Sequence, residues 1–293
     1  MQRTTSNKMV TLLSYGKLAS KGSPTVEEES KAPPTASGPV PLNTMDSHVN
    51  QQQDLQVFTV GFFLAQLLGV LCVALAGAWS GHYLGGFAWQ SVPSLQFNYH
   101  PLFMVIGLVF LYGDAILVYR VMRNERKKIL KLIHAGLHTL AFIFVVVALK
   151  AVFDSHNLAA NPIPNMYSLH SWLGLAAVVL FSLQFVCGFV SYLFPGVSQY
   201  WRAWYLPVHV YFGVVIYVLG IGACLMGITE KLIFSLKSDY KDLPGTAVLG
   251  NILGVVLVCF GILIVYLVTT PQFKRQSLPE EENLQLTPHS PIN

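Results

Sequence analysis

The sequence predicts an all-α membrane protein with six transmembrane helices, helices 2–5 forming a four-helix core. Two observations carry this reading. Of 293 residues, 53% are hydrophobic and only 11% charged, whereas soluble domains carry about 25% charge. Six apolar stretches, near 57–80, 99–120, 131–153, 168–194, 206–229 and 247–270, stand out along the chain. Each can cross about 30 Å of hydrocarbon at about 1.5 Å per residue. The net charge of +4 is small, and no nucleic-acid partner is expected.

Residues 1–56 are rich in Ser, Thr, Pro, Gln and Lys and read as a disordered cytosolic tail, because they cannot bury enough apolar surface to fold. They lack the early apolar run of a cleavable signal peptide, so the first helix must direct insertion. Within the tail, Tyr15-Gly16-Lys17-Leu18 has the form of a tyrosine sorting signal. Helix 2 opens at His100, carries Asp114 at depth and ends at Arg120. The 120–131 connection that follows holds six basic residues and one acid, while the 81–98 and 154–167 connections hold no Lys or Arg. That contrast places 120–131 in the cytosol, and six spans then put both termini there. Lys274 and Arg275, just past helix 6, agree. The 230–246 connection, on the opposite side, balances three lysines with three acids. Residues 57–275 therefore form one six-helix domain, and 276–293 a second cytosolic tail. Cys72, Cys187, Cys224 and Cys259 all lie in apolar segments and are expected to be free packing residues. No dinucleotide, P-loop, H-E-x-x-H or C-x-x-C pattern is present, so an electron donor must be small.

Four helices begin with a histidine: His100, His134, His170 and His209. Successive crossings put His100 and His170 near the non-cytosolic surface and His134 and His209 near the cytosolic one. Imidazoles in hydrocarbon are costly without partners, and four in two matched levels point to two bis-histidine b-type haems, one per leaflet. Such an iron has no open position and transfers electrons. Histidines about 5 Å inside each surface would set the irons roughly 20 Å apart. One ion shared by all four is excluded by that separation. His138, one turn below His134, is either a neighbour of the ligand or a competitor for its place, and packing is the favoured role. His82 and His156 lie in the two non-cytosolic loops, as weak metal contacts at most.

Lys127, Lys131 and His134 share one helical stripe, and Arg202 precedes His209 by the same seven residues that separate Lys127 from His134. These cations suit an anionic reductant or haem propionates; positive-inside topology explains much of the remaining basic charge. Arg120 and Lys274 are further candidate propionate partners. On the outer side, Tyr167 and Ser168, with Asn165 nearby, are placed to donate to outer propionates. Glu230 there would need a proton beside a propionate. Asp114 is an intramembrane carboxylate to which the sequence assigns no role.

Phe97-Asn98-Tyr99-His100-Pro101, Val118-Tyr119-Arg120, Tyr167-Ser168-Leu169-His170-Ser171-Trp172 and Pro207-Val208-His209 resemble the cytochrome b561 family over about residues 57–275. The resemblance implies a six-helix, usually homodimeric protein holding two haem b groups and passing electrons from cytosolic ascorbate across a membrane. It implies His100 with His170 and His134 with His209 as axial pairs, and ascorbate contacts from Lys127, Lys131 and Arg202. It sets Arg120, Lys127, Lys274, Glu230 and the turn Asn165-Met166-Tyr167-Ser168 around the haems. Leu117-Val118-Tyr119-Arg120-Val121 resembles the chromaffin-granule branch, whereas Thr229-Glu230-Lys231-Leu232-Ile233-Phe234-Ser235-Leu236 resembles the duodenal ferric-reductase branch. His156 matches an outer Fe(III) contact of the latter. Monodehydroascorbate is the first expected acceptor and ferric chelates the second. The expected location is a secretory-vesicle membrane, with the plasma membrane and endosome or lysosome as alternatives. A proton-coupled transporter would need broken helices and a midplane site.

Overall fold

The computed structural model describes residues 42–276. Met1–Met45 form one unit and Asp46–Asn293 another, and every membrane-spanning helix belongs to the second. Most of the expected N-terminal tail, with its Tyr15 motif, and nearly all of the C-terminal tail lie outside the described residues. Among the described residues every regular element is helical, and six helices are long and apolar enough to cross a membrane. They are α1 Gln52–Tyr83, α2 Pro93–Val121, α3 Lys127–Asn157, α4 Leu169–Tyr192, α5 Gln199–Asp242 and α6 Gly245–Thr269. The expected all-α, six-span architecture is the one observed. Most of these helices outrun the apolar stretches that announce them. Helical backbone already begins at Leu42, within the stretch read as tail, and α5 ends in a 3-10 turn at Asp242. Hydropathy marks the part of a helix that meets lipid, and hydrogen bonding carries the coil further.

Helices α2 and α4 each pack on both α3 and α5, closing a four-helix ring; α6 lies outside against α2 and α5. α2 is the most enclosed of the six. It contains a π-helical segment, Val105–Leu111. The buried Tyr112 ring stands 5.2 Å from Phe181 of α4 and 5.9 Å from Tyr217 of α5. Its hydroxyl donates to the Gly213 carbonyl at 3.0 Å, which fixes α2 to α5.

Polar contacts hold the periphery. Gln66 Nε2 of α1 donates to Asp114 Oδ1 of α2 at 2.7 Å. The intramembrane carboxylate left without a role by the sequence therefore pins α1 to the core. Trp79 Nε1 donates to the Thr246 carbonyl at 3.1 Å, tying α1 to α6. Arg120 closes the end of α6: Nη1 donates to the Thr270 carbonyl at 2.7 Å and Nη2 to the Val268 carbonyl. A cation at the last carbonyls of a helix satisfies groups that have no partner within it. At the opposite end of α2, the buried Asn98 reaches three carbonyls with Nδ2: Gly86 at 2.7 Å, Leu84 at 3.0 Å and Ser80 at 3.4 Å. Gly85 and Gly86 turn the chain there with φ of 90° and 92°. Beside them, Gln96 Nε2 donates to Asp154 Oδ2 of α3 at 3.1 Å. The 81–98 connection is thus laid over the end of the bundle that carries His100.

Candidate functional site

The ring of helices brings the four histidines together in two diagonal pairs. His100 of α2 faces His170 of α4, with ring centroids 6.1 Å apart and planes at 85°. His134 of α3 faces His209 of α5, also at 6.1 Å, with planes at 67°. The first is the outer pair and the second the inner, the inner end being the one that carries the 120–131 loop. A metal-bound imidazole nitrogen lies about 2 Å from its metal, so two rings on opposite sides of one metal have centres about 6 Å apart.

The other ring nitrogens fix which atom faces inward. His100 Nδ1 donates to the Ala148 carbonyl at 3.3 Å, His134 Nδ1 to Ala115 at 2.8 Å and His170 Nδ1 to Ala223 at 2.9 Å. Each is a carbonyl on a neighbouring helix. A carbonyl only accepts, so Nδ1 carries the proton and Nε2 is left bare as the metal-binding atom. His209 differs, since its Nδ1 is buried without a hydrogen-bond partner. Space for the rings comes from two glycines. A Cβ at Gly227 would lie 2.7 Å from His170 Cε1, and one at Gly188 would lie 3.0 Å from His209 Cε1.

Among the described residues, no group of three or more His, Cys, Asp or Glu is placed to hold a metal ion. Each pair supplies two nitrogens, and the remaining ligands of a six-coordinate iron would come from a macrocycle. The donor set, the spacing and the glycine cradles fit a haem at each level. His134 donates to Ala115, so α2 measures the separation of the levels: His100 to Ala115 is about 22 Å at about 1.5 Å per residue.

His138 is buried and packs against His134 at 4.5 Å and Tyr112 at 4.7 Å between ring centroids. Its Nδ1 has no hydrogen-bond partner. It lies beside the inner pair and faces aromatic rings.

The expected cationic stripe is brought together at the inner end. Lys131 Nζ donates to the Tyr192 carbonyl at 3.3 Å, and Arg202 Nη2 to the Phe194 carbonyl at 3.4 Å. The two cations are therefore held around the end of α4, with Lys127 one turn before Lys131 on α3. Cations gathered in this way make a site for an anion. Tyr192 links that site to the inner pair, its ring 5.5 Å from His209. Its hydroxyl donates to the Arg202 carbonyl at 3.2 Å. Arg120 donates to the carbonyls at the end of α6, at the same inner end of the bundle, and the exposed Lys274 follows that helix.

At the outer end, Ser168 caps α4 and its hydroxyl donates to Glu230 Oε2 at 3.0 Å. That bond gives Glu230 a partner inside the protein. Met166 adopts φ 58°, and its carbonyl accepts from Trp172 Nε1 at 2.9 Å. Tyr167 is exposed. An open groove of about 550 Å³ runs past Tyr167, Ser168, His170 and Glu230. In the turn before Tyr167, Asn165 Oδ1 accepts from His156 Nδ1 at 3.1 Å. All four cysteines are free. Sequence reasoning missed Tyr192, Gly188 and Gly227, because tight contact between helices leaves no mark in hydropathy.

Residues 99–235 match the model of the eukaryotic cytochrome b561 family. The mouse (Mus musculus) transmembrane ascorbate-dependent reductase CYB561 is 47% identical over 222 residues, covering 76% of this chain and 87% of the relative. This chain belongs to the cytochrome b561 family. The pig (Sus scrofa) reductase of the same name is 48% identical over 222 residues, with 76% of this chain and 86% of the relative covered. The plasma membrane ascorbate-dependent reductase CYBRD1 of Xenopus tropicalis is 46% identical over 237 residues, with 80% and 83% covered. The chain is a transmembrane oxidoreductase, and its family implies b-type haem.

Proposed function

We propose that this cytochrome b561 transfers electrons one at a time from cytosolic ascorbate to monodehydroascorbate on the far side of the membrane. Two b-type haems, when bound to the diagonal histidine pairs, supply the one-electron chemistry. The observation that carries this reading is the matched 6.1 Å spacing of the two pairs. In the reading, His100 and His170 hold the outer haem by Nε2, and His134 and His209 the inner one. Lys127, Lys131 and Arg202 bind ascorbate as a monoanion, with the carbonyls of Tyr192 and Phe194 setting the positions of Lys131 and Arg202. Ser168 and Glu230 line the outer haem edge with Asn165, Met166 and Tyr167, while Arg120, Lys127 and Lys274 surround the inner one. The Lys- and Arg-rich 120–131 loop supports cytosolic termini. A secretory-vesicle membrane is the location in this reading, and a homodimer the assembly. The histidine pairs stand at two separate levels of the bundle and not at one midplane site, which weighs against a proton-coupled transporter.

Ferric chelates are the second acceptor. The likeness to the Xenopus CYBRD1 protein and the His156–Asn165 bond in the turn before Tyr167 favour them. Purified protein should show Soret and α bands that ascorbate reduces; no such bands would sink the haem reading. Reconstituted in ascorbate-loaded vesicles, it should reduce external monodehydroascorbate faster than ferric citrate, and the reverse order would select the second acceptor. Lys131→Ala should slow reduction by ascorbate roughly tenfold or more, the loss of one charge-assisted contact, with haem content unchanged. Unchanged ascorbate kinetics would remove Lys131 from the donor site.

A further inference from the structure

Lys231 follows Glu230 near the outer end of α5. Its ammonium lies 4.2 Å from the centroid of the Phe97 ring, and that ring lies 6.1 Å from the His100 ring. The side chain is half-buried. Among the described residues Lys231 has neither an acid within ion-pair distance nor a side-chain hydrogen bond. Its neighbour Glu230 accepts from Ser168. The other cations at this end are differently placed. Lys150 pairs with Asp154 at 2.8 Å, and Lys237 and Lys241 share a short turn with Asp239 and Asp242. The loops on either side contain no Lys or Arg. Among the described residues Lys231 is therefore a cation that approaches the outer histidine pair, through Phe97, without an acid of its own.

Withdrawing an ammonium from water is costly, and one aromatic face offsets only part of that cost. Phe97 holds the ammonium in position, and Lys keeps three N–H donors for an acceptor. A compact ammonium suits a single carboxylate oxygen, where a guanidinium would suit a bidentate pair.

We propose that Lys231 binds a carboxylate at the edge of the outer haem. The proposal rests on the reading that His100 and His170 hold that haem. The carboxylate belongs either to a haem propionate or to an anionic acceptor such as a ferric carboxylate chelate. Paired with a propionate, the ammonium offsets that group's negative charge beside the macrocycle and so favours the reduced iron, which carries one positive charge fewer than the oxidised iron.

The test compares wild type, Lys231→Gln, Lys231→Met and Lys231→Arg in lipid nanodiscs. One arm titrates both haems spectroelectrochemically with no acceptor present. The other measures oxidation of the reduced protein by ferric citrate and, as a cationic acceptor, by hexaammineruthenium(III). If a propionate is the ligand, Lys231→Gln lowers the outer midpoint, leaves the inner one in place, and affects both acceptors alike. If the acceptor supplies the carboxylate, the midpoint stays and the KM for ferric citrate rises roughly tenfold, while the ruthenium complex is unaffected. Lys231→Arg should restore most of either effect. Lys231→Met, which keeps the apolar stem, replaces Lys231→Gln if that variant does not fold. Unchanged midpoints and an unchanged KM, or an equal midpoint shift in Lys231→Arg, would overturn the proposal. A wild-type protein without ascorbate-reducible haem would instead overturn the reading beneath it.

Discussion

Each of the four histidines stands where a neighbouring helix offers either a carbonyl to receive its Nδ1 proton or a glycine to clear its ring. The two devices meet at His170, which donates to the Ala223 carbonyl and lies against Gly227 one turn further along α5. A methyl group at position 227 would sit 2.7 Å from the ring, closer than unbonded carbon atoms approach. Gly227→Ala should therefore displace His170 and lower the content of the outer haem, while the inner haem stays. Gly188→Ala, with a contact of 3.0 Å to His209, should weaken the inner haem, and by less. Haem-to-protein ratios and the separate α bands of the two centres would check this; equal loss of both haems would contradict it. The histidines were legible in the sequence because polar groups at matched depths in apolar segments are conspicuous. The glycines were not, because what they accommodate comes from another helix.

Helix ends carry more of the architecture than helix interiors reveal. Asn98, just before the turn that carries His100, gathers the carbonyls of Ser80, Leu84 and Gly86, so one amide holds a whole connection in place. Asn98→Ala leaves the part-buried Leu84 and Gly86 carbonyls without this donor, at about 1–3 kcal/mol for such a group. It should lower the thermal unfolding temperature and make the outer haem easier to lose, with the inner haem unaffected. An unfolding temperature equal to wild type would show that the carbonyls find other partners. The number, order and approximate places of the six spans could be read from hydropathy. Their true ends could not, since α5 runs to Asp242 through a segment that balances lysines with acids. The π-helical segment of α2 was equally hidden, because no residue in Val105–Leu111 marks it. Arg120 shows the same limit: the sequence identifies a cation at a helix end, and only the packing shows that it serves the carbonyls of another helix.

In the whole molecule, the two histidine levels and the cationic end of the bundle are in series. His134→Ala should abolish the inner haem and leave the outer haem bound. Ascorbate should then reduce that remaining haem far more slowly, although dithionite still reduces it fully. Equal rates with ascorbate would mean that electrons enter at the outer end, and would reverse the proposed direction. The ring of α2–α5 was expected from the order of the histidines, and the helix packing bears it out. The peripheral place of α1 follows from that core, but its anchor was not legible. It depends on Gln66 meeting Asp114, two residues far apart in sequence whose partnership no periodicity encodes.

The diagonal pairing has a consequence for how the chain can be divided. The outer pair joins the second and fourth spans and the inner pair the third and fifth. The two joins overlap along the chain like interlocked links. Cutting between α3 and α4 leaves each fragment with one histidine from each level and a complete pair in neither. Both centres are completed only after the middle of the chain has been passed, the outer with α4 and the inner with α5. The bundle has no seam along which one centre could be kept as a module and the other discarded.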